Sequence, residues 1–371
     1  ETLGDFSDTY VQKWSGFVFG ITFLTAFFIS PVWGRIADKH GYKKILMITG
    51  SGIAISIFLM GFVYSVEQLF ILRLVMGLVT GFIPTSLALI SAQTPKEIAG
   101  KTLGTLQMGT VSGGLFGPLI GGALADAVGF QYTFLITSIV IGLSTLFVGI
   151  GIKELEVGKE NKNKREYSRK EVFQHIFRNP VLLTIMVISL LVQTANFSIQ
   201  PLLALYVGEL NGTGNLAFLA GLAFSATGFG NLLATRQWGK LGDRIGHERV
   251  LMILIIFAAI MFIPQGLVTS LWQLVVFRFL FGISVGGLIP CMTAYIRQVA
   301  PLSIQGEVLG YNVSFRFLGN VIGPVMGGII SGYFGIASVF FVTSGIFIIS
   351  GIILWGSIQR QTNELKRHAD A

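Results

Sequence analysis

A chain of 371 residues that is 52% apolar and only 12% charged, with 31 Phe and 47 Gly, is not a soluble domain, in which charged residues make up about 25%. Its mean hydropathy is +0.73, and apolar runs of about 20 residues recur, each able to cross a hydrocarbon core of roughly 30 Å as a helix. The formal charge of +8 does not point to nucleic acid, because the surplus of 26 Lys and Arg over 18 Asp and Glu sits in short loops.

Taken in chain order, the apolar runs predict spans at 14–36, 45–64, 69–90, 103–125, 130–152, 181–207, 217–238, 249–268, 271–295, 307–332 and 336–357. Basic residues fall on alternate loops. One side carries Arg35, Lys39, Lys43 and Lys44, then Lys96 and Lys101, the 153–179 segment, Lys240, Arg244 and Arg249, Arg297, and a tail with Arg360, Lys366 and Arg367. Loops of the other side, among them YSVEQ, DAVGFQ and GELNGTGN, hold no Lys or Arg. By the positive-inside rule the basic side is cytoplasmic, which places residue 1 outside and the C-terminus inside. The opening ETLGDFSDTYVQK lacks the basic start of a signal peptide, and the lone Cys291 allows no disulfide within the chain.

The chain repeats itself. GRIADKHGYKK, from Gly34, has a partner 205 positions later in GKLGDRIGHER, from Gly239, which aligns Asp38 with Asp243 and Gly41 with Gly246. The same offset takes Arg73 onto Arg278, and an offset of 206 takes GPLIGG at Gly117 onto GPVMGG at Gly323. Three matches at nearly one offset mark an internal duplication. The expected organisation is an N-terminal bundle over 1–152, a basic linker over 153–179, a C-terminal bundle over 180–358 and a tail over 359–371. An amphipathic piece is expected in the linker at 168–177, capped by Ser168, with Val172, Phe173, Ile176 and Phe177 on one face. Eleven spans do not divide into two equal sets. The counterpart of 181–207 falls ahead of residue 1, and Leu3–Asp5 matches the end of the Ala204–Leu210 stretch. A further helix of about 25 residues is therefore expected ahead of this chain, making twelve.

In the first motif, Gly34 would let its helix approach a neighbour closely, and Gly41 permits a turn closed to other residues. Asp38 can accept from the N-terminus of a nearby helix or pair with a base, latching the halves in one state. Lys39, Lys43 and Lys44 read as topology signals, as does Arg244 in the second copy. In GGLFGPLIGG, which ends on Gly122, the residues Gly113, Gly117 and Gly121 recur every four positions and predict a groove for another backbone. Pro118 removes the bond to the carbonyl of Gly114, which predicts a bend.

All 18 carboxylates lie in loops or at helix ends, yet three arginines lie inside apolar runs. At 1.5 Å per residue Arg73 and Arg278 are about 7–9 Å from the outer face, and Arg316 about 15 Å from the inner face. An intramembrane charge must be paired or wet and marks a functional site. Asn312 and Asn320 share a helix face with Arg316 at steps of four. The counter-charge is either a carboxylate on the helix ahead of this chain or an anionic substrate. Gln193, Thr194, Asn196 and Gln200 form a neutral polar stripe expected to face a cavity, and Gln200-Pro201 is expected to break that helix.

GRIADKHGYKK resembles the GxxxD(R/K)xGR(R/K) signature of the major facilitator superfamily, with Tyr42 in place of the usual base. GGLFGPLIGG resembles the GPxxGG motif of its antiporters. With ILRLVMGLVTGFIPTSLALISAQTP and YNVSFRFLGNVIGP, the whole chain is similar to the MdtG and PmrA type of bacterial multidrug efflux protein. The resemblance implies an all-helical polytopic fold of two six-helix bundles related by a pseudo-two-fold axis, with a cavity between them. It implies drug:proton antiport in a bacterial cell membrane, with a drug-like substrate for which an anionic compound is one candidate, no cofactor but the proton gradient, and a monomer in the bilayer. A uniporter or proton-coupled importer of a polar or anionic metabolite is the alternative, and a sensor on the same fold a more distant one. No enzyme, metal site or nucleic-acid partner is expected, and GxxxxGK is absent, which speaks against ATP-driven transport.

Overall fold

The computed structural model describes residues 6–94, 96–152, 169–212, 214–301 and 304–369, with the backbone alone at a few, Asp38 among them. The described residues form α1 (Asp8–His40), α2 (Tyr42–Met60), α3 (Val66–Leu78), α4 (Phe82–Gln93), α5 (Lys96–Gly151), α6 (Arg169–Arg178) and α7 (Pro180–Ser198). After a 3-10 turn at Gln200–Leu202 follow α8 (Leu203–Asn211), α9 (Leu216–Ile245), α10 (His247–Gln265), α11 (Leu271–Val299), α12 (Gln305–Phe334) and α13 (Ile336–Ala369). There is no strand among the described residues. Among the described residues ten stretches are long and apolar enough to cross a membrane, and one of them, Met108–Gly151, holds two crossings that meet at Gly129. These are the eleven predicted spans.

The helices start and stop where local chemistry directs. Ser7 accepts from the N–H of Tyr10 and Ser65 from that of Gln68, while Asn179 caps α7 ahead of Pro180. The tight reversals need a backbone angle that side chains oppose: Gly41 and Gly246 both have φ 97°, and Gly129 and Gly335 have φ 85° and 81°. These pairs are 205 and 206 positions apart, so the duplication read in the sequence is also a duplication of backbone. Hydrogen bonds repeat too. The Gln68 side chain accepts from the N–H of Tyr64 at 2.9 Å, and Gln273 from that of Thr269 at 2.9 Å.

α1 to α5 pack among themselves, as do α7 to α13, and α6 lies against α7 and α12. Within α6, Ile176 is buried and Phe177 is exposed; Ser168 and the side chains of Val172 and Phe173 lie outside the described residues. The C-terminal half holds the largest buried rings, with Phe262 4.5 Å from Phe281 and 5.7 Å from Phe347 between centroids. Lipid is as apolar as these rings, so close packing rather than release of water holds them.

One interhelical bond occurs twice. The indole of Trp33 donates to the carbonyl of Leu78 at 2.8 Å, and that of Trp238 to the carbonyl of Ile283 at 2.7 Å. Trp238→Phe keeps an aromatic ring but loses the donor and part of the ring. It should lower unfolding stability by about 1 kcal/mol, measured as a fall in the melting temperature of purified protein. No change would mean that the Ile283 carbonyl finds another donor. The first repeat is not a full copy of the second: α3 and α4 are separated by a break at residues 79–81, whereas α11 runs unbroken through the equivalent stretch.

Candidate transport site

The two halves meet along two seams, α1 on α12 and α5 on α9, both towards the face opposite the basic loops. Each seam is built by one copy of GPxxGG. A side chain on Gly221 of α9 would run into the carbonyl of Pro118, and one on Gly16 of α1 would run into that of Pro324. A side chain on Gly122 would strike the carbonyl of Ala217, and one on Gly328 the carbonyl of Gln12. The two seams are related residue by residue through the repeat. Small residues let backbones approach this closely in a membrane.

Side chains then finish the seal. The two carboxylate oxygens of Asp126, at the end of the first crossing of α5, accept from the N–H of Ala217 at 3.1 Å and of Phe218 at 2.8 Å. Asn215, the residue just ahead of α9, has φ 50° and makes no side-chain capping bond of its own, so this helix is capped by the other half. On the second seam the Thr9 hydroxyl donates to the carbonyl of Gly332 at 3.0 Å, and the Lys13 ammonium lies 3.8 Å from the centre of the Tyr333 ring. Deeper in, Phe19 and Phe23 of α1 reach Phe197 of α7, with Phe23 at 5.3 Å between centroids.

Towards the basic face the seams part. At Gly34, Gly109, Gly239 and Gly310 an added side chain would meet nothing within 4 Å. This corrects the expectation of a close approach at Gly34: here that end of α1 stands away from α12. Asp38 lies in the last turn of α1, with its side chain outside the described residues, while Asp243 pairs with His247 at 3.4 Å. Lys39 and Lys44 are exposed, as is Arg244. The groove predicted for Gly113, Gly117 and Gly121 is likewise corrected. No neighbour fills it, and Gly122, one residue off that stripe, makes the approach. Pro118 keeps helical angles, and the departure from helix in α5 is at Gly129.

The arginines and asparagines that the sequence places at depth lie on α3, α7, α11 and α12. Arg278 is 3% exposed, with its Nε donating to the carbonyl of Ala223 at 3.4 Å and its Nη1 unbonded. Arg73 and Arg316 are half-buried, and the Nε of each is buried without a partner. Asn312 and Asn320 are buried with an unsatisfied Oδ1 each. Orphaned groups at this depth require water or a ligand. The polar stripe of α7 divides. Gln193 and Thr194 are buried against Gly319 and Gly323 of α12, not facing a cavity, because those glycines draw the two helices together. Asn196 and Gln200 remain half-buried, and Gln200 opens the 3-10 turn predicted at Gln200-Pro201. No cluster of His, Cys, Asp and Glu suited to a metal occurs among the described residues.

The model of the Major Facilitator Superfamily matches residues 7–235 and 214–371. The chain belongs to this superfamily. It is 64% identical over 355 residues to YuxJ of Bacillus subtilis (strain 168), described as an uncharacterized MFS-type transporter, covering 96% of this chain and 91% of that one. It is 41% identical over 364 residues to the multidrug resistance protein MdtG of Salmonella typhi, covering 97% and 89%. Among solved structures, a bacterial homolog of the lysosomal transporter Spinster in an inward-facing, occupied conformation superposes with a TM-score of 0.78 at 14% identity, covering 94% and 89%. A D-xylose-proton symporter superposes at 0.76 and 16% identity, covering 95% and 89%. This facilitator is thus a multi-pass membrane transporter and not an enzyme.

Reading the sequence missed Asp126 and the Phe19, Phe23 and Phe197 contact. Asp126 carried one signal, as the sole acid in a loop otherwise free of charge.

Proposed function

We propose that this facilitator exports small amphipathic or anionic toxic compounds in exchange for protons across the bacterial cell membrane. The basic face and the C-terminus lie in the cytoplasm, and the conformation described is open to that side. The paired use of GPxxGG carries this reading: both copies seal the far face, so the seal parts when the halves rock. The 41% identity to MdtG supports efflux as the direction of transport. In the opposite conformation Gly34 and Gly239 become points of close approach, with Asp38 as the latch on that side.

Arg316, with Asn312 and Asn320 on the same face, is the proposed anchor for an anionic group. A guanidinium offers two parallel donors to a carboxylate or phosphonate, which an ammonium does not reproduce. Arg316→Lys should keep expression while resistance to anionic compounds falls at least tenfold more than resistance to cationic dyes. Uptake of each class into inverted membrane vesicles, driven by an imposed pH gradient, measures this directly. Equal losses would make Arg316 a coupling residue, and full activity towards both a structural one. If imposed gradients drive no uptake into such vesicles, while a sugar or nucleoside exchanges by counterflow, the efflux reading fails.

A further inference from the structure

A groove of about 570 Å³ lies away from the seams, between α9 and α11. Leu233, Gln237, Lys240 and Arg244 of α9 line it, with Phe279 and Ile283 of α11. At 100° per residue these α9 positions lie about 120° round the helix from the seam residues Gly221, Ser225 and Gly228. They lie still further from the polar stripe Thr227, Asn231 and Thr235. The groove therefore faces away from the other half. Leu233, on its wall, is 61% exposed. Aliphatic side chains bare of protein on a membrane helix face acyl chains.

The groove has polarity along its length. Its walls are apolar apart from Gln237 and the basic end, where Lys240 and Arg244 are exposed and have no ion pair among the described residues. Asp243, the acid between them, is turned towards the seam side and pairs with His247. The Trp238 bond to Ile283 fixes α9 on α11 at this depth. From Leu233 to Arg244 is about 16 Å along the axis, which matches the roughly 15 Å depth of one leaflet's hydrocarbon. We propose that the groove binds an anionic phospholipid of the leaflet on the basic face. Its acyl chain lies along Leu233 and Ile283, and its phosphate sits between Lys240 and Arg244.

Native mass spectrometry of the purified protein, titrated with phosphatidylglycerol and with phosphatidylethanolamine, tests this. The wild type should retain phosphatidylglycerol in preference, and Lys240→Gln with Arg244→Gln should weaken that binding on the order of tenfold. Removing the same charge at Arg249→Gln with Arg297→Gln should leave it intact. Leu233→Trp, which fills the apolar wall without changing charge, should weaken it too. Equal retention of the two lipids, equal effects of the two charge-removing pairs, or release of the lipid by millimolar inorganic phosphate would each overturn the proposal.

Discussion

Gly221→Leu is expected to force the sealed face apart and hold the transporter open on the side opposite the basic loops. The new side chain meets the carbonyl of Pro118, which is backbone and has no rotamer to give way. Overpacking by a single methylene in a rigid core already costs about 1–3 kcal/mol, and here a whole isobutyl group has no space. The contact lies between the halves and not within either one, so the strain is relieved most easily by separating them. Spin labels at Val128 and Leu267, both exposed on the sealed face, should move apart. Labels at Lys44 and Arg249 on the basic face should move together. Gly16→Leu, its partner across the pseudo-two-fold axis, should do the same through Pro324. Unchanged distances in both variants, with transport intact, would show that the seams repack and do not gate. Cys291 is fully buried and will not compete for label.

Asp126→Ala should shift the same balance by a smaller and measurable amount. It removes the cap of α9, whose N–H groups at Ala217 and Phe218 are then left to water in the closed state. Loss of a cap costs about 0.5–2 kcal/mol, and the charge on the helix terminus lies within that range. The equilibrium between the two faces should therefore move by roughly 2-fold to 30-fold towards opening of the sealed face. Because Asp126 is exposed, salt should narrow the gap between wild type and variant. Asp126→Asn keeps an acceptor and loses the charge, so it should fall between. If the label distances of Asp126→Ala match the wild type at low salt, the cross-half cap does not bias the conformation.

The spans were legible because hydrophobic length survives any tertiary arrangement, and the reversals because Gly41 and Gly246 stand where no other residue fits. The duplication gave the symmetry. What the residues did not disclose was which face of α5 meets the other half. Gly113, Gly117 and Gly121 form a better-spaced stripe than Gly122 offers alone, and spacing within one helix says nothing of where its neighbour stands. Asp126 was hidden for a related reason, since its partners lie 91 and 92 positions away. The buried arginines were legible as charges out of place. Their partners were not, because no acid in the chain lies at their depth.

The broken helix has an arithmetic behind it. Up to Leu78 and Ile283 the repeats run at an offset of 205, and from Pro84 and Pro290 onward at 206, so one copy is a residue shorter inside the stretch where α3 gives way to α4. In an unbroken helix one missing residue turns everything beyond it by 100° and draws it back 1.5 Å. Pro84 would then point a quarter-turn or more away from where Pro290 points. Residues 79–81 absorb that phase error, with Val79 at ψ 7° and Gly81 at φ −147°. The interruption is a register correction, and it gives one half a joint in mid-helix where the other has a continuous rod.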